Sequence, residues 1–457
     1  MTEPLKPLLL ICSSPIQGHL APCKVIAKQL INRGYEVTFL TGTRFGPGLE
    51  AIGATFVPLQ GYSDFSDLPS ELAKRWPLKE TFQGPAQMLF DMEYIFVNSM
   101  ISQFHSIQSA LKLMTDKHPG RPIVLLHDLV FCGVFPLLLN APGIKPTAVI
   151  GIGITSIVLS SQDVPPPGSG LLPDTSPEGR ERNKAMHANL QNGPFARVNR
   201  LFQENFEALG ATRPSTFFLD TPYILPDRFI QLCAPSVEYP RSDAPKTLFF
   251  SGGLPKGHRD VVGTTRPTWW EEVTTNSSQK RIIFVSQGTV ALKYEDLLIP
   301  TIHAFANDEN TIVAAALGVK GASLPGSFTL PKNAFVEDFI PFDDILPYCD
   351  VFVTNGGYGA FQHGLSNGCP MVMGGDTEDK PDNCMRCQWT GVGINLKSAR
   401  PGVEKLREEV ERVFADAKYR DRAREIRREM EGLDPVGVFE TLIREVVGEK
   451  SAGSLVG

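Results

Sequence analysis

Short, nearly unbroken apolar runs recur along the chain, and between them lie longer stretches with apolar residues three and four apart. Leu8 to Cys12, Tyr35 to Leu40 and Ala54 to Leu59 read as strands buried on both faces, since a half-exposed strand would alternate apolar with polar. Between the first two, Pro22, Val25, Ile26 and Leu30 mark one face of a helix that stops at Asn32-Arg33-Gly34. Strands and helices in alternation predict a parallel sheet. Pro122 to His127, with Asp128 at its end, and Thr147 to Ile154 predict further strands; Ser215 to Leu219, Arg228 to Leu232 and Thr247 to Ser251 predict shorter ones. Met88 to Lys117 predicts one long helix. Gln162 to Arg182, rich in Pro, Gly and Ser, predicts a surface loop, and Asn183 to Leu209 a polar helical stretch.

The second half repeats the architecture. Strands are predicted at Arg281 to Ser286, Thr311 to Ala316 and Ala334 to Val336, with a helix from Tyr294 to Asn307. Asp350 to Leu396 then reads strand (Val351 to Thr354), Gly-rich turn, helix, strand (Met371 to Met373), acidic loop, helix, strand (Val392 to Leu396). Val403 to Met430 predicts a charged helix and Val436 to Val447 a last one. Residues 252–280 lack periodicity and form the expected linker, with Trp269-Trp270 pinning it to a domain surface. The division is therefore a first Rossmann-like domain at 1–251, the linker at 252–280, a second at 281–435 and a C-terminal helix within 436–457. The fold class is α/β.

Composition narrows the function. The net charge of −6, with no basic block before the last forty residues, argues against nucleic acid as a partner. The longest apolar run, Thr147 to Ser160, is shorter than a membrane span, so no stable membrane insertion is expected. Eight scattered cysteines fit a reduced, cytoplasmic protein, and a monomer is expected. Cys384-Met385-Arg386-Cys387 has CxxC form without a second ligand pair, which favours buried helix positions over a metal site.

Two places carry chemistry by position. His19 follows the first strand at the start of a helix, where ligands gather at the carboxyl edge of a doubly wound sheet. The positive end of a helix favours a neutral imidazole, which accepts a proton near pH 7; a loop histidine that caps or packs is the plainer alternative. Asp128 ends a strand of the same sheet, either to hold an imidazole or to cap the segment near Phe131. In the second half, Asn355-Gly356-Gly357-Tyr358-Gly359 lets the backbone turn sharply into a helix whose free N–H groups suit an anion such as a diphosphate.

These stretches resemble the family 1 UDP-dependent glycosyltransferases, in particular the fungal and bacterial small-molecule and macrolide type. The resemblance lies in Gly18-His19-x-x-Pro22 and in Thr354-Asn355-Gly356-Gly357, Gly359-Ala360, His363-Gly364-Leu365, Gly368-Cys369-Pro370 and Asp379-Lys380 before Asn383. It spans nearly the whole chain. It implies the GT-B fold, two Rossmann-like domains facing a cleft, with a C-terminal helix crossing back onto the first. It implies His19 as the catalytic base with Asp128 behind it. Gly288 and Thr289 would contact phosphate, and Phe339 and Ile340 would meet the base. Asn355, Gly356, Gly357, Gly359 and Ala360 would hold the diphosphate. His363 stands where the family has a ribose-binding glutamate, and Asp379 and Lys380 stand where it has a sugar-binding Asp-Gln pair. The chain departs from the family pattern at these places and also at Asn355, where the family has His, and Ala360, where it has Ser; His363 can still bond hydroxyls, with a core or surface histidine as the alternative.

The expectation is an inverting, metal-independent transferase with no cofactor. It would move a sugar, by default glucose from UDP-glucose, onto a hydroxyl of a small hydrophobic acceptor of phenolic, polyketide or sterol type. Ile16, Phe82, Met88 and Phe131 are the candidate acceptor contacts. Lys380 could bond a hydroxyl, attract a carboxylated sugar or neutralise phosphate. A nucleotide-sugar epimerase or hydrolase, a non-catalytic nucleotide-sugar sensor and a nicotinamide enzyme are the alternatives; no strand is followed by the GxGxxG that the last requires.

Overall fold

The computed structural model describes residues 5–82, 84–254, 266–289 and 291–453. The chain divides into two compact units, Met1–Leu232 with Pro240–Pro255 and Asp434–Gly457, and Cys233–Tyr239 with Lys256–Leu433. Residues 255–265 of the expected linker lie outside the described residues. Among the described residues no helix is long and apolar enough to cross a membrane.

The first unit is built on seven parallel strands: β1 (Leu8–Cys12), β2 (Val37–Thr41), β3 (Thr55–Pro58), β4 (Ile123–Asp128), β5 (Ala148–Gly153), β6 (Arg228–Gln231) and β7 (Leu248–Phe250). Their order is β3-β2-β1-β4-β5-β6-β7, so the direction of winding reverses between β1 and β4. These two neighbours run in register, Cys12 opposite His127. The central strands are buried at every position, which is why they read as unbroken apolar runs. Helix Gln17–Asn32 turns Leu20, Cys23, Ile26, Ala27 and Leu30 onto β1 and β2 and ends at Gly34, whose φ of +84° an L side chain rarely adopts. Helix Pro435–Gly453 adds Val436, Phe439, Leu442, Ile443 and Val446 to the same core. Arg33 fixes its start, donating to Glu440 at 2.5 Å and to Asp434 at 3.2 Å.

The second unit has six parallel strands: β8 (Arg281–Ser286), β9 (Thr311–Ala316), β10 (Ala334–Glu337), β11 (Val351–Thr354), β12 (Met371–Met373) and β13 (Gly393–Asn395). The order β10-β9-β8-β11-β12-β13 is the dinucleotide-fold order, with its reversal between β8 and β11. Trp269 lies flat on Phe335 at 5.2 Å and donates its indole N–H to Glu337 at 2.9 Å, so it is held against this sheet's edge strand.

Several elements differ from their sequence patterns. Met88 to Lys117 is three pieces: α-helix to Phe90, a π-helical segment Asp91–Val97, and α-helix Met100–Lys117. Ser215 to Leu219 forms a turn, because Phe217, Phe218 and Leu219 pack into an aromatic cluster with Phe195, Phe202 and Phe206 instead of pairing with a strand. Val403 to Met430 breaks at Asp416, whose carboxylate accepts the Lys418 N–H at 3.1 Å and starts a second helix. The predicted loop 162–182 ends early: Ser176 caps a helix beginning at Pro177, accepting the Gly179 N–H at 3.0 Å. The predicted helix Tyr294 to Asn307 is helical over Leu298–Ala304.

Candidate active site

In the first unit the candidate site sits at the winding reversal, where two adjacent strands send their loops apart and leave a crevice. The chain leaves β1 through Ser13 and Ser14, and an extended Ile16 (φ −126°, ψ 131°) opens the helix that carries His19 in its first turn. Asp128 leaves the end of β4 alongside. Its carboxylate, without exposed surface, accepts the Ser14 N–H at 2.5 Å and the Val130 N–H at 2.9 Å. His19 Nδ1 lies 3.6 Å from Asp128 Oδ1; it is buried and has no hydrogen-bond partner nearer than this carboxylate. Burial alone would raise the Asp128 pKa, but His19 and the two N–H groups together hold it below the usual carboxylate range. The carboxylate is therefore kept charged beside the Nδ1 edge of the imidazole.

His127 faces the other side of the strand, as alternation requires. It is buried, its ring edge-on to Phe135 at 5.4 Å, and its Nδ1–H donates to the Asp128 carbonyl at 2.8 Å. Burial lowers its pKa to about 4, so it is neutral at pH 7.

An aromatic ring lies beside His19. Phe96, on the π-helical segment, has its ring 5.6 Å from the imidazole. Ile16 and Met88 are partly buried against the cluster that includes Phe65, Trp76 and Phe96. Phe82 stacks on Phe90 at 5.4 Å and Phe90 on Tyr94 at 4.5 Å, which makes a short aromatic ladder with its Phe82 end exposed. Phe131 corrects the expectation: it has no exposed surface and fills the core beneath β1 and β4 with Leu40, Leu59 and Phe104, so it offers nothing to an acceptor.

In the second unit the corresponding reversal brings the loop after β8 beside the loop after β11. Gly288 (φ +75°) turns the first loop, leaving Thr289 exposed. Asn355 spans the two, its amide N–H donating to the Gln287 carbonyl at 2.5 Å and its oxygen accepting the Gly357 N–H at 3.4 Å. Gly356 requires its residue type: at φ +84°, an added Cβ would lie 2.7 Å from Cys384 Sγ. Helix Tyr358–Asn367 follows, with its first intrahelical bond made by the Phe361 N–H. The N–H groups of Gly359 and Ala360, in that first turn, have no intrahelical acceptor, and an added Cβ on Gly359 meets nothing within 4 Å. Phe339, after β10, keeps part of its ring exposed while Ile340 is buried.

Two of the replaced positions have carboxylate partners within the second unit. His363 Nδ1 lies 2.7 Å from Asp343 Oδ1, which also accepts from the Asn367 amide at 2.9 Å. The Lys380 ammonium pairs with the Glu378 carboxylate and donates to Thr377 Oγ1 at 3.0 Å. Asp379 accepts from the Asn383 amide at 3.1 Å, and that amide also donates to the Gly356 carbonyl at 2.8 Å. Ser14 in the first unit and Gln287 and Asp343 in the second thus support these groups without having been singled out in the sequence. Cys384 and Cys387 are both buried on helix Lys380–Thr390.

Residues 304–443 match the family described as erythromycin biosynthesis protein CIII-like, C-terminal domain. The chain is 36% identical over 443 residues to UDP-glucosyltransferase A1 of Starmerella bombicola, covering 96% of this chain and 92% of that one. It is 37% identical over 446 residues to UDP-glucosyltransferase B1 of the same organism, covering 96% and 99%. Among solved structures, the glycosyltransferase of kitacinnamycin superposes with a TM-score of 0.71 at 22% identity, covering 97% of this chain and 100% of the other. Two parallel sheets wound in dinucleotide-fold order, and identity sustained along nearly the full length of two UDP-glucosyltransferases, establish that the chain belongs to the family 1 UDP-glycosyltransferases of GT-B fold.

Proposed function

We propose that the enzyme transfers glucose from UDP-glucose to a hydroxyl of a small apolar acceptor, by one displacement that inverts the anomeric carbon. The observation that carries this reading is the His19 imidazole 3.6 Å from a buried, charged Asp128 carboxylate at a winding reversal. A carboxylate beside Nδ1 favours the tautomer with its proton there, which leaves Nε2 to take the proton of an acceptor hydroxyl. As the imidazolium forms, Asp128 stabilises it. The acceptor oxygen bonds to the anomeric carbon while the bond to the diphosphate oxygen breaks. Charge that gathers on the departing diphosphate meets the Gly359 and Ala360 N–H groups and the positive end of their helix, with no metal ion required.

UDP-glucose as donor is supported by the names of the two relatives, both UDP-glucosyltransferases. A planar, apolar acceptor is supported by Ile16, Met88 and the Phe82–Phe90–Tyr94 ladder, and its origin in secondary metabolism by the match to the erythromycin biosynthesis family. The test is mass spectrometry of phenolic, polyketide and sterol acceptors incubated with several nucleotide sugars, with and without EDTA, beside His19→Ala. A product heavier by one hexose with UDP-glucose, indifferent to EDTA and lost in the variant, is expected. Transfer that persists in His19→Ala, or that EDTA abolishes, would refute the mechanism.

A further inference from the structure

The segment Cys233–Tyr239 lies in sequence between β6 and β7 of the first unit but packs in the second unit. It is held there by a buried ion pair. Arg386 donates from Nε at 3.0 Å and from Nη2 at 2.8 Å to Glu238 Oε2, and the two side chains are 3% and 1% exposed. The guanidinium also lies 4.5 Å over the Tyr239 ring, which meets Trp389 edge-on at 5.0 Å. Ser236 is bonded through its N–H and hydroxyl to the Glu429 carboxylate. Burial would by itself lower the Arg386 pKa; Glu238 more than offsets that and keeps the guanidinium charged.

Arg386 stands one turn beyond Asn383 on helix Lys380–Thr390. Asn383 reaches forward to the Gly356 carbonyl and back to Asp379, so the placement of this helix sets both the glycine turn and the carboxylate at the helix start. A buried pair contributes little net stability compared with apolar groups of the same size, but its two-bond geometry fixes register. We infer that Glu238 and Arg386 are positioning residues for the nucleotide-sugar site, holding helix Lys380–Thr390 where Asn383 and Asp379 meet the glycine turn. The inference rests on the proposed donor site. It adds that a segment remote in sequence, with no residue in that site, sets its geometry.

The test separates placement from stability. Glu238→Gln and Arg386→Lys are compared with a double variant, Glu238→Leu with Arg386→Met, that removes both charges while keeping the volume. UDP affinity is read by calorimetry, and KM for UDP-glucose and for the acceptor by initial rates. The double variant is expected to melt close to wild type yet bind UDP about 10-fold more weakly, because a site displaced by a fraction of an ångström loses its fit. Donor KM should rise in parallel while acceptor KM stays unchanged. Arg386→Lys, which keeps the charge but not the fork, should fall between. A double variant with wild-type UDP affinity would overturn the inference, as would one that fails to fold, since the pair would then be a stability element. Wild-type protein that binds no UDP would instead sink the donor-site reading beneath it.

Discussion

Replacing Asp128 by Asn removes one charge from the proposed catalytic pair at nearly constant shape. The carboxylate lies 3.6 Å from His19 Nδ1. At an effective dielectric constant of about 20, two unit charges at that separation interact by about 4–5 kcal/mol. The imidazole side chain is 21% exposed, so water screens part of this. About 2–4 kcal/mol of imidazolium stabilisation is then lost, a fall in kcat between about 30- and 1000-fold. KM for UDP-glucose should not change. The variant also loses stability, because one carbonyl oxygen cannot replace a carboxylate that accepts from both Ser14 and Val130. One buried N–H left facing an amide costs about 1–3 kcal/mol. Initial rates are therefore measured well below the melting temperature, with circular dichroism to confirm the fold. A folded Asp128→Asn enzyme whose kcat stays within about threefold of wild type would refute the role given to this carboxylate.

Phe131→Ala should cost about 3–5 kcal/mol of stability by emptying a core site and leave acceptor KM unchanged, as thermal melting and initial rates would show. Truncating Phe82 or Met88 should do the reverse, raising acceptor KM with little change in melting. Gly356→Ala should abolish UDP binding measured by calorimetry, since the new Cβ meets Cys384 Sγ at 2.7 Å in a backbone conformation unfavourable to alanine by about 1–2 kcal/mol. His127 gives a pH prediction. Its folded pKa, about 4, lies below the unfolded value near 6.5, so between these values the unfolded chain binds the extra proton and stability falls as the pH falls. The loss is about 3 kcal/mol between pH 7 and pH 4, and denaturant melts of His127→Gln should show that slope removed.

Most strands were legible because parallel strands covered on both sides must be apolar throughout; Ser215 to Leu219 misled because its apolar residues fill an aromatic cluster instead. His19, Asp128 and the glycine turn stood out because each lies at or just beyond the carboxyl end of a strand. What the sequence hid depends on partners far along the chain. Phe131 looks like any aromatic after a strand until Leu40, Leu59 and Phe104 surround it. The Glu378 partner of Lys380 and the Asp343 partner of His363, twenty residues away, could not be read from either residue's own position. Glu238 and Arg386 are separated by 148 positions and carry no local signal. The break in Met88 to Lys117 was hidden differently, because a π-helical turn keeps helical composition while shifting the face presented.

The most direct test of the central claim, that a His19-activated hydroxyl displaces the diphosphate in one step, is the anomeric configuration of the product. UDP-glucose carries an α linkage. Proton NMR of the glucosylated acceptor should show the large H1–H2 coupling of a β-glucoside from the wild-type enzyme. An α-glucoside would contradict a single displacement and the role assigned to His19.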